Sequence, residues 1–143
     1  MPIAAASPWA RQGRDYMRSQ VETASPTQLV LMLYDGAIRF LSAGREKMLA
    51  RQLEQKNTYL VKSQRIISEL MSTLDHSQGG SVAANLQRLY AYMLQRIVEG
   101  NLHDEPEAIS EVIDLLRDLR ASWEEVDRMS RSTGSKGDTG DAS

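Results

Sequence analysis

The chain has 143 residues and no cysteine, which excludes disulfides, thiol catalysis and thiolate metal sites. It carries no excess of either charge. Lys+Arg 17 against Asp+Glu 19 leaves a net charge of -2, and without a basic bias neither nucleic acid nor an anionic membrane is expected as main partner. Long apolar runs are missing too. The longest dense stretch, LVLMLY at residues 29–34, is far short of the ~20 residues of a membrane span. The start, MPIAAASPWA, lacks a charged n-region and a proper apolar h-region, so it does not read as a secretion signal. These features predict a soluble, cytoplasmic protein, and its length suits one domain with a real core.

Reactive chemistry is equally sparse. The two histidines, His76 and His103, fall in expected loops. Neither belongs to the inward Glu-x-x-His pair of a carboxylate metal site, and neither sits on an exposed helical face as a phosphorelay needs. Gly79-Gly80 lacks the lysine and helix context of a phosphate loop. No enzyme activity, metal or other cofactor is expected.

What remains is helical periodicity. Ser25-Pro26-Thr27-Gln28 has the spacing of a capping box, with Pro26 at the first helical position, where its missing N–H costs nothing. It predicts a helix from Pro26 to near Ala50. Leu53, Leu60, Ile67 and Leu74 recur every seven residues and predict a second. Residues 75–80, DHSQGG, read as a break. Val82, Leu86, Leu89, Met93 and Ile97 mark a third helix, from Ser81 to Gly100. Asp104 and Glu107 suit a second capping box, opening a fourth with Ile109, Val112, Leu116, Leu119, Trp123 and Val126 in its seam. No alternating strand pattern competes. Four helices with short connections stack most simply as an all-α, antiparallel up-down bundle. Residues 1–22 are expected to be a mobile N-terminal segment, 23–129 the bundle, and 130–143, SRSTGSKGDTGDAS, a disordered tail that cannot offset its ordering entropy.

The first helix is greasier than a surface helix requires. Asp35, Arg39, Ser42 and Glu46 share one polar stripe, and almost everything else in its first half is apolar. Val30, Leu33, Tyr34, Ala37 and Leu41 form the expected core seam, flanked by Leu29, Met32 and Phe40 on one side and Leu31 and Ile38 on the other. A corner helix touching two neighbours explains part of that width. A flank open to a partner's apolar helix is the competing explanation. Asn57 and Gln64 interrupt the leucines of the second helix, either setting register or bonding a guest from a groove edge. Tyr90 and Tyr92 flank the third helix's stripe and suit an interface. Met32, Met48, Met71 and Met93 suit an adaptable surface or ordinary core filling.

Several segments resemble the FliS family of flagellin export chaperones. Tyr16, then Val21, Thr23-Ala24-Ser25-Pro26 and residues 29–36 are similar to its N-terminal pattern. Lys56-Asn57-Thr58, Ile66-Ile67-Ser68-Glu69-Leu70, Asn85-Leu86, Leu89-Tyr90, Tyr92-Met93, Asn101, and the run from Glu111-Val112-Ile113 through Leu119-Arg120 to Trp123 follow in order. The start before Tyr16 and the Gly/Ser/Asp tail depart from it. The resemblance implies a helical bundle that binds the C-terminal region of flagellin in the cytoplasm, blocks early polymerisation without ATP, and presents the complex to the flagellar export apparatus. It implies partner contacts among Tyr16, Val21, Ala24, Pro26, Leu29, Met32, Phe40, Asn57, Gln64, Tyr90 and Met93, with the segment around Tyr16 and Val21 covering the site when no guest is bound. The alternative is an adaptor or dimerising bundle unrelated to secretion, and a free homodimer is compatible with either.

Overall fold

The computed structural model describes residues 24–142, with side chains to residue 132. Four helices follow one another: α1 Pro26–Leu49, α2 Leu53–Ser72, α3 His76–His103 and α4 Pro106–Ala142. The N-terminal segment expected to be mobile lies outside the described residues. The α4 backbone continues as helix to Ala142, through the stretch expected to be a disordered tail, but side chains there beyond residue 132 lie outside the description.

The start of α1 is built as its sequence requires. The Gln28 amide donates to Ser25 Oγ at 3.2 Å and the Ser25 amide to Gln28 Oε1 at 3.0 Å, so two of the helix's free N–H groups are satisfied reciprocally. A short turn through Arg51, at φ 62, leads into α2. α3 begins earlier than the expected break allows. Asp75 caps it, accepting from the amides of Ser77 at 3.1 Å and Gln78 at 3.3 Å. The break survives as a kink at Gly80, with φ 53 and ψ -124, a conformation for which glycine is suited.

α1 packs on α2 and α4, and α3 packs on the same two helices, so the chain closes an antiparallel up-down ring. Tyr34, Leu41, Leu60, Ile67, Met93, Ile97, Ile109, Val112 and Leu116 are fully enclosed at its centre. Gly44 sets the α1–α2 spacing, since a Cβ there would lie 2.6 Å from Leu60 Cδ2. Gly100 does the same for α3 and α4, where a Cβ would meet Ala108 Cβ and Ile109 Cδ1 at 3.0 Å.

Three expectations are corrected. Asp104 does not cap α4. It ends α3 in the left-handed conformation, φ 53 and ψ 51, and its Oδ1 accepts from the buried Lys56 ammonium at 2.5 Å. A cation withdrawn from water needs a counter-charge more than a helix start needs a second cap. His76 and His103 are the end residues of α3 rather than loop residues. The α3 stripe is wider than expected and differs at its start: Met93 and Ile97 are buried and Leu86 and Leu89 pack against the core, Ala83 and Tyr90 join them, and Val82 is 64% exposed. The outermost seam residues of α2 and α4, Leu53 and Val126, are exposed as well.

Candidate functional site

At one end of the ring, the start of α1, the end of α2 and the start of α3 do not close against one another. A groove of about 420 Å³ remains. Pro26, Leu29, Val30 and Leu33 line it from α1, Leu74 from the end of α2, Val82, Leu86 and Tyr90 from α3, and Trp123 from α4. α2 stops at Ser72, and Thr73, Leu74 and Asp75 just beyond it line the groove with Leu29. The Gly80 kink separates the first turn of α3 from the rest, and Val82 just beyond it stands in solvent. Half-buried aliphatic side chains around a concavity are the physical signature of a surface that gains by covering itself.

The floor is polar but satisfied. The hydroxyls of Tyr34 and Tyr90 are 2.5 Å apart, and the Trp123 indole N–H donates to Tyr34 Oη at 3.1 Å. Burial raises the pKa of both phenols, so both stay neutral donors and acceptors. This chain ties α1, α3 and α4 together beneath the groove. It explains how Tyr90, expected at an interface, can be 1% exposed: its hydroxyl has a partner inside.

The residues expected to contact a partner do not form one surface. Tyr16 and Val21 lie outside the described residues. Ala24 is half-buried just before the cap, and Pro26 and Leu29 line the groove. Met32 is half-buried on the same flank of α1 but outside the groove. Phe40, about three helical turns beyond Leu29 along that flank, stacks on Tyr59 of α2 with ring centroids 6.2 Å apart. Asn57 and Gln64 line a separate shallow cleft between α2 and α3 with Val98, Asn101 and Leu102, where the Asn101 side-chain amide donates to Asn57 Oδ1 at 3.0 Å. Met93 is fully enclosed and Tyr90 nearly so. These two are core in this structure, a correction to their place among the partner contacts: Met93 sits in the seam where the helical period put it, and Tyr90 is drawn in beside it. Tyr92, by contrast, is 42% exposed, and its hydroxyl donates to Glu111, holding that carboxyl below its ordinary range.

Val30, Leu33, Leu74 and Trp123, expected in core seams, do pack against the core and also line the groove, whereas Val82 is exposed at it. The glycine pair at 79–80 beside Val82 was the one signal that α3 would bend there. Among the described residues, no group of three or more His, Asp or Glu is placed to hold a metal ion, and no helix is long and apolar enough to cross a membrane.

The geometry defines a helical bundle whose recognisable feature is a groove rather than a reactive centre. Comparison with known proteins places it more closely. The profile of the family described as "Flagellar protein FliS" matches residues 10–130, and the chain belongs to that family. It is 34% identical to the flagellar secretion chaperone FliS of Vibrio cholerae, over 76% of this chain and 79% of that protein. It is 37% identical to the protein of the same description from Salmonella typhimurium, over 77% and 82%, and 32% identical to that from Bacillus subtilis, over 78% and 82%. A crystal structure described as a flagellar chaperone from bacteria shares the fold with a TM-score of 0.67 at 21% identity, covering 83% of this chain and 97% of that one.

Proposed function

We propose that this chain is an export chaperone that binds the C-terminal helical region of flagellin in the cytoplasm, prevents its early polymerisation and delivers it to the flagellar export apparatus. It acts by binding, with no ATP and no reaction of its own. The observation that carries this reading is the open apolar groove beside Leu29, Leu33, Val82 and Leu86. An amphipathic helix laid there covers its own apolar face and the groove's together, the helix-in-groove mode of recognition. A flagellin helix so covered has no face left for filament contacts. Family membership supports the same reading, since the relatives are named flagellar secretion chaperones. In the absence of guest, the segment around Tyr16 and Val21, which joins α1 beside Pro26, competes for the groove.

The test is an amide chemical-shift titration with a peptide of the cognate flagellin C-terminus. Saturable shifts are expected at Leu29, Leu33 and Val82, and Leu29→Glu should abolish them while the helical circular dichroism is unchanged. Shifts confined to the α2–α3 cleft at Asn57 and Val98, or none at all, would reject the groove. Self-association without any response to flagellin would favour the adaptor or dimerising bundle.

A further inference from the structure

The outer face of α1 and α2 carries a second constellation, remote from the groove. Phe40 and Tyr59 stack with an interplanar angle of 30°. Neither belongs to the central core cluster, so the pair is a half-buried platform rather than part of the interior. Two cations sit on it. Lys62 Nζ is 5.5 Å from the Phe40 centroid and 5.9 Å from that of Tyr59, and Arg39 Cζ is 5.6 Å from Phe40. Sharing one ring, the two charges lie within about 11 Å of each other. A concavity of about 440 Å³ is lined by Tyr59, Lys62, Thr58 and Lys47, and by one carboxylate, Glu54.

Among the described residues, these cations have no carboxylate partner of their own. Lys56, Arg96 and Arg120 are each paired with carboxylates. Among the described residues, no carboxylate oxygen is within 4.0 Å of Arg39, Lys47 or Lys62. The near-neutral total hides a division. Residues 26–72 hold seven Lys/Arg and four Asp/Glu, and residues 106–132 hold four and seven. Asp35, one of the four acids on the basic side, is taken up by Arg120 of α4. Like charges drawn to one ring by its quadrupole repel each other, and an anion placed between them removes that repulsion.

We infer that the Phe40–Tyr59 platform with Arg39, Lys47 and Lys62 is a docking surface for an acidic polypeptide segment, distinct from the guest groove. Charge complementarity selects the occupant. A carboxylate beside Arg39 or Lys62 accepts a charge-assisted hydrogen bond from it, and an apolar side chain next to it rests on the two rings. The requirement is for carboxylates flanking a large apolar residue, which neither free phosphate nor an apolar helix meets. The surface lies about 16 Å from Leu29 along α1, so it can engage a second partner while the groove is filled.

The experiment uses the full chain and the fluorescein-labelled peptide Glu-Asp-Glu-Leu-Phe-Glu-Asp-Glu, read by fluorescence anisotropy. Saturable binding is expected that weakens by at least about tenfold between low and high salt. The exposed charge reversals Arg39→Glu and Lys62→Glu together should abolish it with circular dichroism unchanged, and Phe40→Leu should weaken it about three- to tenfold by removing the ring. Leu29→Glu should leave it unchanged, which separates this surface from the groove and keeps the result independent of the flagellin reading. No binding, binding that survives the double reversal, or equal binding of a single-stranded oligodeoxynucleotide would overturn the inference.

Discussion

The two ends of the bundle use similar side chains to opposite effect. At the end where α3 turns into α4, glycines bring helices together: Gly44 admits Leu60 and Gly100 admits Ala108 and Ile109. Lys56 is then 6% exposed, and its ammonium donates to the Asn101 carbonyl at 3.0 Å and to Asp104. At the other end a glycine does the reverse. Gly80 kinks α3, a Cβ there would meet nothing within 4 Å, and the aliphatic residues around it stay half-covered. The difference teaches that apolar content alone does not make a core. It becomes core where backbones can approach, and an open groove where they are held apart.

The sharpest way to break this contrast is to truncate matched aliphatic residues at the two ends. Ile109→Ala should cost ~2–5 kcal/mol in urea denaturation, as expected for a fully enclosed site, whereas Leu86→Ala, already half in solvent, should cost about 1 kcal/mol. Equal losses would mean that the groove is as tightly built as the closed end.

The glycine at the closed end offers a second, smaller lever. Gly44→Val should destabilise by ~1–3 kcal/mol through overpacking against Leu60, read as a lower urea midpoint. A neutral result would show that α1 and α2 can separate without loss, and that close approach is not what seals this end.

The polar floor between the two regions should respond to pH. Burial raises the Tyr34 phenol above its ordinary 10.0. The stability from keeping it protonated is therefore fully present below pH ~10 and declines at higher pH, where the unfolded phenol ionises first. Tyr34→Phe should cost ~1–3 kcal/mol at neutral pH, because the Trp123 N–H and Tyr90 hydroxyl lose a partner. It should also flatten the loss of melting temperature above pH 10. An alkaline slope identical to that of the unmodified chain would remove Tyr34 from this role.

The smallest effect on stability should accompany the largest on binding. Leu29→Glu is expected to shift the midpoint by no more than about 1 kcal/mol, since the charge remains at an open surface, yet to eliminate flagellin-peptide binding, because a guest would have to bury it. In a Trp9→Phe background, Trp123 is the remaining indole and lines the groove, so its emission should shift on guest binding to otherwise unmodified chain and not to the Leu29→Glu variant. Unfolding of that variant would instead make Leu29 a core residue.

Much of this architecture was legible in the residues because it is local. The Ser25–Gln28 capping box, the proline beside it, the seven-residue recurrence in α2 and the absence of strand alternation involve neighbours a few positions apart, and each reappears in the structure. The excess grease of α1 was legible too, and it marked the helix that borders the groove. What could not be read depended on pairs distant in sequence. Tyr90 and Tyr92 both read as interface residues, and only packing encloses the first and leaves the second 42% exposed. Tyr90 could be enclosed only because Tyr34, 56 positions earlier, supplies a hydroxyl. Asp104 had the spacing of a cap, but Lys56 claimed it.

The flank of α1 shows where the division falls. Helical period alone put Leu29, Met32 and Phe40 on one side, and they are on one side. Only the tertiary structure decided that Leu29 lines a groove with the residues just beyond the end of α2, and that Tyr59 lies under Phe40, turning it into part of a separate cationic platform. Periodicity sets the direction of a side chain through the 100° step of its own helix. What meets it there depends on where another helix starts, stops or bends, and that is settled by packing across the whole ring.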